Sequence, residues 1–363
     1  MSADLLPYNS GLFEKAIAAA IEFPDEIGEA IDDLHGLKYQ RPLNQSVAPY
    51  LVQEYGLGPI SQFFGSYEDL IDEGRIWQRL RGTPSAITTS MSWIEYDDID
   101  IEDQNPNRRR WHLYQIGMGE IPTADEEVAR LTNAEYLADL SDPARSEFFR
   151  GFHGYDVRSL GWSNKRWGRT LFGDSSGVRL AGGNTKWSHG RSHEVSSYAV
   201  ITDWADLNID FVNGLPVTWT DDITWEAPGV TWEGVADAGY LKAWAMLRKR
   251  TYIAFLREDM STIGYALVVI RPQDVTPDDT DYGDEFFLRY EIQTGFGEGA
   301  GEEAAYIAVA YNGQPADGVK PYKRWLRPSE ITFPAGAVIV GETAFEHKFM
   351  NTVRERIVFT LGF

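Results

Sequence analysis

The sequence predicts an α+β multidomain protein, an N-terminal all-α bundle followed by mostly antiparallel β modules. Three observations carry this reading. The chain has 363 residues, long enough for more than one core, with 43% hydrophobic and 24% charged residues, close to globular averages. Up to about Gly151, apolar residues recur at spacings of three and four behind capping residues, as amphipathic helices require. From Gly154 onward, short runs of β-branched and aromatic residues are broken by Gly, Pro, Asn and Asp, the pattern of many short strands. The expected divisions are a helical domain at 1–96, an acidic hairpin plus helical extension at 97–153, a Trp-rich β region at 154–271 and a C-terminal β-domain at 285–363.

In the helical half, Ser10 can cap a helix with Phe13, Ile17 and Ile21 as apolar members, and Ala16, Ala18, Ala19 and Ala20 favour the helical state. That helix should stop near Pro24, which then begins a second through Ile27, Ile31 and Leu34, with Asp25 and Glu26 at its positive end and Gly36 after it. Ser46 opens a third, ending at Gly56. Ser66 with Asp69 three residues on resembles a capping box for Tyr67 to Arg81, and Thr83-Pro84 reads as cap and first-turn proline for a fifth helix through Ile87, Met91 and Ile94. Asp97 to Asp103 alternates acid and isoleucine, so an edge strand and a loop both stay open; Asn105-Pro106-Asn107 and Arg108 to Arg110 follow it. Thr123 with Glu126 forms another capping box, and Ser141 with Pro143 starts a helical segment through Phe148 and Phe149.

In the β half, Val217-Thr218-Trp219, Ile223-Thr224-Trp225 and Val230-Thr231-Trp232 form a small repeat, one strand and turn each. Tyr252 to Phe255 and Tyr265 to Ile270 flank Glu258-Asp259-Met260-Ser261 as a hairpin. Pro272 to Asp284 reads as a polar linker or long loop. Phe286 to Ile292, Ala305 to Ala310, Ala337 to Val340 and Arg356 to Leu361 are strand-like.

Charge and composition narrow the function. With 33 Lys and Arg against 55 Asp and Glu, the net charge is −22, so the surface field repels phosphate backbones and anionic lipid and nucleic acid is a poor partner. Residues 1–150 carry 12 basic and 27 acidic side chains, a charge of −15, which leaves −7 for the rest. The absence of cysteine excludes disulfides, thiolate metal sites and cysteine nucleophiles. No apolar run approaches the roughly 20 residues that cross a bilayer, and Met1-Ser2-Ala3-Asp4 lacks a signal-like start, so a soluble chain made in the cytoplasm is expected, without membrane insertion. Twelve Trp, 18 Tyr and 18 Phe beside 34 Gly suit aromatic-rich sheets and contact surfaces, which points to binding before catalysis.

The chemistry-bearing motifs agree. In His189-Gly190-Arg191-Ser192-His193-Glu194 the histidines are four apart, but Gly190 disfavours helix, and strand geometry sets His189 and His193 about 13 Å apart, too far for one ion. A polar turn bonded to nearby backbone or acids is the preferred reading there. Asp97 to Asp103 lacks the order of a calcium loop, and Gly295 to Gly301 has no following lysine and is flanked by Glu302 and Glu303, so a solvated edge and a hairpin tip are expected. No G-x-S-x-G elbow is present, and carboxylate pairs for glycoside cleavage have no sequence signature among 55 acids. No cofactor is expected. Trp219, Trp225 and Trp232 could stack on sugar faces, but indoles packed inside a sheet or at a subunit contact are the stronger reading. The candidate interface residues are these three with Trp162, Trp167, Trp187, Tyr50, Tyr55 and Trp77.

Leu5-Leu6-Pro7-Tyr8-Asn9-Ser10 and Phe13-Glu14-Lys15-Ala16, then Pro49-Tyr50-Leu51-Val52-Gln53-Glu54-Tyr55-Gly56 and Leu80-Arg81-Gly82-Thr83-Pro84-Ser85-Ala86, resemble in their order the contractile-phage tail protein I family. Tyr50 and Tyr55 depart from it, standing where tryptophan is common. The resemblance covers about residues 1–95 and could extend to Tyr155-Asp156-Val157-Arg158. It implies a non-enzymatic baseplate wedge component of the virion, assembled in the host cytoplasm in several copies around a symmetric axis. Residues 1–96 would dock to the tail hub or wedge, and the β half would hold a fibre or receptor-binding subunit. Other tail and baseplate proteins are the implied partners, and a carbohydrate-binding module that reads host glycan is the alternative.

Overall fold

The structure is a computed structural model that describes residues 7–21, 36, 38–103, 111–158, 174–198, 250–270, 274–275, 287–333 and 339–362. The chain forms two compact units, Met1–Asp97 with Tyr136–Arg145, and Asp98–Glu135 with Ser146–Phe363. The class is α+β, with helices early and one large mixed sheet later.

In the first unit, helices run over Leu12–Ile21, Ala48–Glu54, Tyr67–Leu80 and Pro84–Ser92, with a 3-10 turn at Gly58–Phe63 and the C-terminal part of a helix spanning Glu127–Ser141. Two caps are as expected: Ser66 Oγ accepts from the Asp69 N–H at 3.1 Å, and Thr83 Oγ1 accepts from the Ala86 N–H. Two are not. The Ser10 hydroxyl donates to the Pro7 carbonyl while Glu14 reaches back to the Gly11 N–H, and the third helix starts behind Val47 without a side-chain cap, with Pro49 in its first turn. The expected second helix, Pro24 through Leu34, lies outside the described residues. Leu51, Leu57, Ile60, Leu70, Ile71, Trp77, Ala86 and Leu137 make the core. Trp77 Nε1 donates to Ser141 Oγ at 2.9 Å, so the largest core side chain has its polar edge satisfied.

The second unit is built on β1 (Ile99–Glu102), β2 (Leu113–Met118), β3 (Glu147–His153), β4 (Val178–Arg179), β5 (Lys186–Tyr198), β6 (Thr251–Leu256), β7 (Thr262–Ile270), β8 (Asp274–Val275), β9 (Phe287–Gln293), β10 (Glu303–Tyr311), β11 (Gln314–Pro315), β12 (Trp325–Leu326), β13 (Ile331–Thr332), β14 (Ile339–Lys348) and β15 (Val353–Gly362). The main order is β1-β2-β3-β5-β15-β9-β7-β6-β10-β14, with β4, β8 and β12 attached and β11-β13 a separate pair. The acidic alternation at 97–103 resolves as the edge strand β1, antiparallel to β2. The β6–β7 hairpin stands where expected, its tip turned by Met260 at φ 63.

Most strand pairs are antiparallel, as expected, but the sheet is mixed, because β2–β3, β3–β5 and β5–β15 are parallel, the first of these joined across the helix Glu127–Ser141. Two expectations are corrected. Phe148 and Phe149 lie in β3 and not in a helix: Ser141 closes the preceding helix, and the aromatic run pairs between β2 and β5, where a buried strand favours it. His189 to Glu194 is the middle of the 13-residue strand β5 and not a turn, since the parallel ladder to β15 runs through all of these residues while β3 pairs the other edge as far as His189, and that ladder outweighs the low strand propensity of Gly190. Of Pro272 to Asp284, only the two-residue β8 is described.

Alternate residues of the strands meet in one core: Ile253 and Phe255, Leu288, Tyr290 and Ile292, Ile307, Val309 and Tyr311, Phe345, and Ile357, Phe359 and Leu361. The sheet therefore curls until the inward face of β14 lies against those of β5 and β15, with the His193 ring edge-on to Phe345 at 5.4 Å.

Candidate functional site

This curl gathers titratable groups from three strands. On β5, steps of two put His189, Arg191 and His193 on one face, and the parallel register sets Arg191 opposite Glu355 of β15. His347 comes across from β14. His193 Nε2 lies 3.0 Å from Glu355 Oε2, and His347 Nε2 lies 3.1 Å from Glu355 Oε1. The second contact is out of line for a hydrogen bond, so His347 Nε2 and Glu355 Oε1 are buried without a hydrogen-bond partner. The two imidazoles stand 4.8 Å apart, Phe349 packs edge-on against His347 at 4.9 Å, and the Glu355 N–H donates to Thr294 Oγ1. Burial alone would raise the Glu355 carboxyl. The hydrogen bond from His193, the adjacent His347 and the Arg191 charge outweigh it and bring the group down to about 2. The side chains of His347 and Glu355 are 3% and 2% exposed, that of His193 23%, so the cluster opens on its His193 side.

A second network supports the turn between β14 and β15. The Glu127 carboxylate, buried at the start of the helix Glu127–Ser141, accepts from the N–H groups of Asn351 and Thr352, from Asn351 Nδ2 and from Thr352 Oγ1. With its one proton committed to Glu127, the Thr352 hydroxyl accepts from His189 Nδ1 at 3.0 Å, which leaves His189 Nε2 bare and the ring neutral. Burial, then the neighbouring His153 and Arg191, bring His189 down to about 3.

A third network lies between β2, β3 and the following loop. Arg150, fully buried, donates to Asp156 at 2.7 Å, to the Ser176 carbonyl and hydroxyl and to Gln115; Arg158 joins Asp156 to Glu102. Glu102 and Asp156 both sit below the ordinary carboxylate range: burial raises each, and the hydrogen bonds, from the two arginines to Asp156 and from Arg158 and Gln115 to Glu102, more than reverse it. This network is saturated and joins β1 to β3.

Of the candidate interface residues, Tyr50, Tyr55, Trp77 and Trp187 are among the described residues. Tyr50 is exposed, and half-buried Tyr55 has the Arg75 guanidinium 5.1 Å from its ring centre. Trp77 is in the first unit's core, and Trp187 is buried in the second against Phe148 and His189. Trp162, Trp167, Trp219, Trp225 and Trp232 lie outside the described residues. The residues that do meet, His347 and Glu355, carry no motif in sequence. Their signal is positional: Glu355 takes an inward step of a strand whose other inward steps are apolar, and His347 follows the buried Phe345 by two.

Residues 6–145 match a phage tail protein family, Tail_P2_I. This is the family that the N-terminal phrases resemble, and the match runs past residue 95 but stops short of Tyr155 to Arg158. The tail-protein segment takes in β1, β2 and the helix Glu127–Ser141 and ends just before β3, so the rest of the sheet lies beyond it. Among curated proteins none matches the chain. A tail protein family suggests a structural, non-enzymatic role among other tail components in the virion. No helix among the described residues is long and apolar enough to cross a membrane.

Proposed function

We propose that this protein is an adaptor of a phage baseplate. Its N-terminal helices act as an all-α docking bundle on the tail hub or wedge, and the sheet unit holds a fibre or receptor-binding subunit, in several copies around the tail axis. The match over residues 6–145 carries the reading. Within that segment the helix Leu12–Ile21 leaves Leu12 and Phe13 largely exposed and Ile17 partly so, with Tyr8 bare beside them. An apolar helix face left uncovered among the described residues fits a subunit contact.

Mass spectrometry of purified particles should find the chain at several copies per virion, with cross-links from Lys15 to another tail subunit. Its absence from intact particles would reject the proposal. The double substitution Leu12→Asp and Phe13→Asp should leave the melting of the isolated chain unchanged, because both side chains are exposed, and should remove the chain from assembled tails.

A further inference from the structure

We infer that His193, His347 and Glu355 form a three-ligand site for a divalent transition metal of the zinc class, tying β5, β14 and β15 together. Three observations carry this. The donor atoms, one from each residue, all lie within 4.8 Å of one another. Donors about 3.4 Å apart surround a tetrahedral zinc ion with bonds near 2.1 Å; each histidine here faces a different Glu355 oxygen, at 3.0 and 3.1 Å, and the three-donor set, spread over up to 4.8 Å, would draw inward around the ion. Next, His347 Nε2 and Glu355 Oε1 are buried, 3.1 Å apart and yet not aligned on each other. Two neighbouring buried polar atoms without a hydrogen-bond partner are groups that a cation beside them would satisfy. Lastly, the donor set selects the ion: two imidazoles with one carboxylate suit zinc-class metals, whereas calcium and magnesium require a shell of oxygens. The opening beside His193 leaves a fourth position to water.

The competing arrangement is a metal-free His–Glu–His cluster. The test uses the full chain, stripped with a chelator and titrated calorimetrically with zinc chloride, with calcium and magnesium chloride in parallel. One zinc per chain is expected, with a rise in melting temperature and no response to the other two ions. Cobalt in place of zinc should give the visible absorption of a low-coordinate nitrogen and oxygen site. His193→Ala, at the partly exposed ligand, and Glu355→Gln, close to isosteric, should each weaken zinc binding at least about tenfold. Circular dichroism identifies which variants are folded, and His193→Ala decides alone if Glu355→Gln is not. Failure of the folded wild-type chain to bind zinc at micromolar concentration, or unchanged affinity in the folded variants, would overturn the inference, since zinc held elsewhere would survive both substitutions. The outcome is independent of the baseplate proposal.

Discussion

At position 355 a carboxylate takes the inward step of a strand whose neighbouring inward steps are Val353, Ile357, Phe359 and Leu361. An uncompensated charge there would be costly, and the two histidines are what make it tenable. His189 poses the opposite case, a base kept neutral by burial, with His153 on β3 and Arg191 on its own strand adding to the cost of a proton there. The unfolded chain takes up a proton at His189 near pH 6.5, whereas the folded chain resists until about 3. The stability linked to neutral His189 is thus full above pH 6.5 and falls by about 1.4 kcal/mol per pH unit below it. Denaturant melts between pH 6.5 and 5 should show this slope, and His189→Asn should flatten it. Arg150 is the group whose loss should hurt most. Arg150→Ala leaves Asp156 and the Ser176 carbonyl in a partly dry site, and equilibrium unfolding should read a loss of about 3 kcal/mol or more.

Among the elements, helices with a side-chain cap were the most legible. Ser66 and Thr83 announce Tyr67–Leu80 and Pro84–Ser92 because a cap acts within three residues, inside the reach of local reading. Ser66→Ala and Thr83→Ala should each lower stability by about 1 kcal/mol, measured by the urea midpoint, while Ser46→Ala should cost little, its hydroxyl capping nothing. β3 and β5 were misread for the converse reason. Their strand state comes from partners remote in sequence, β2 and β15, and neither Phe148 nor Gly190 signals them locally. Gly151 shows how close that packing is: a Cβ there would come within 2.3 Å of the Trp187 ring. Gly151→Ala should therefore destabilise by roughly 1–3 kcal/mol, read in the same titration. The three-strand cluster was illegible on similar grounds. His193 could be weighed only against His189, four residues away, whereas its partners lie across the curl of the sheet.

For the whole molecule the helical-to-β switch and the tail-family phrases were both readable, one from periodicity and the other from short ordered motifs. The mixed topology was not, since strand direction depends on long crossovers that composition does not record. A charge of −22 adds a further property: 55 acids face only 33 bases, so the ion pairs leave a large excess of repulsion that salt screens. The thermal midpoint should rise as sodium chloride goes from 10 mM to 1 M; a fall would mean that the surface ion pairs dominate. The place of β15 has a consequence for biosynthesis. It fills the gap between β5 and β9 at the middle of the sheet, yet it is the last described strand to leave the ribosome, about 160 residues after its parallel neighbour. Until residue 362 emerges, β5 and β9 present open edges to the crowded cell, and the sheet must close late and slowly from distant parts of the chain.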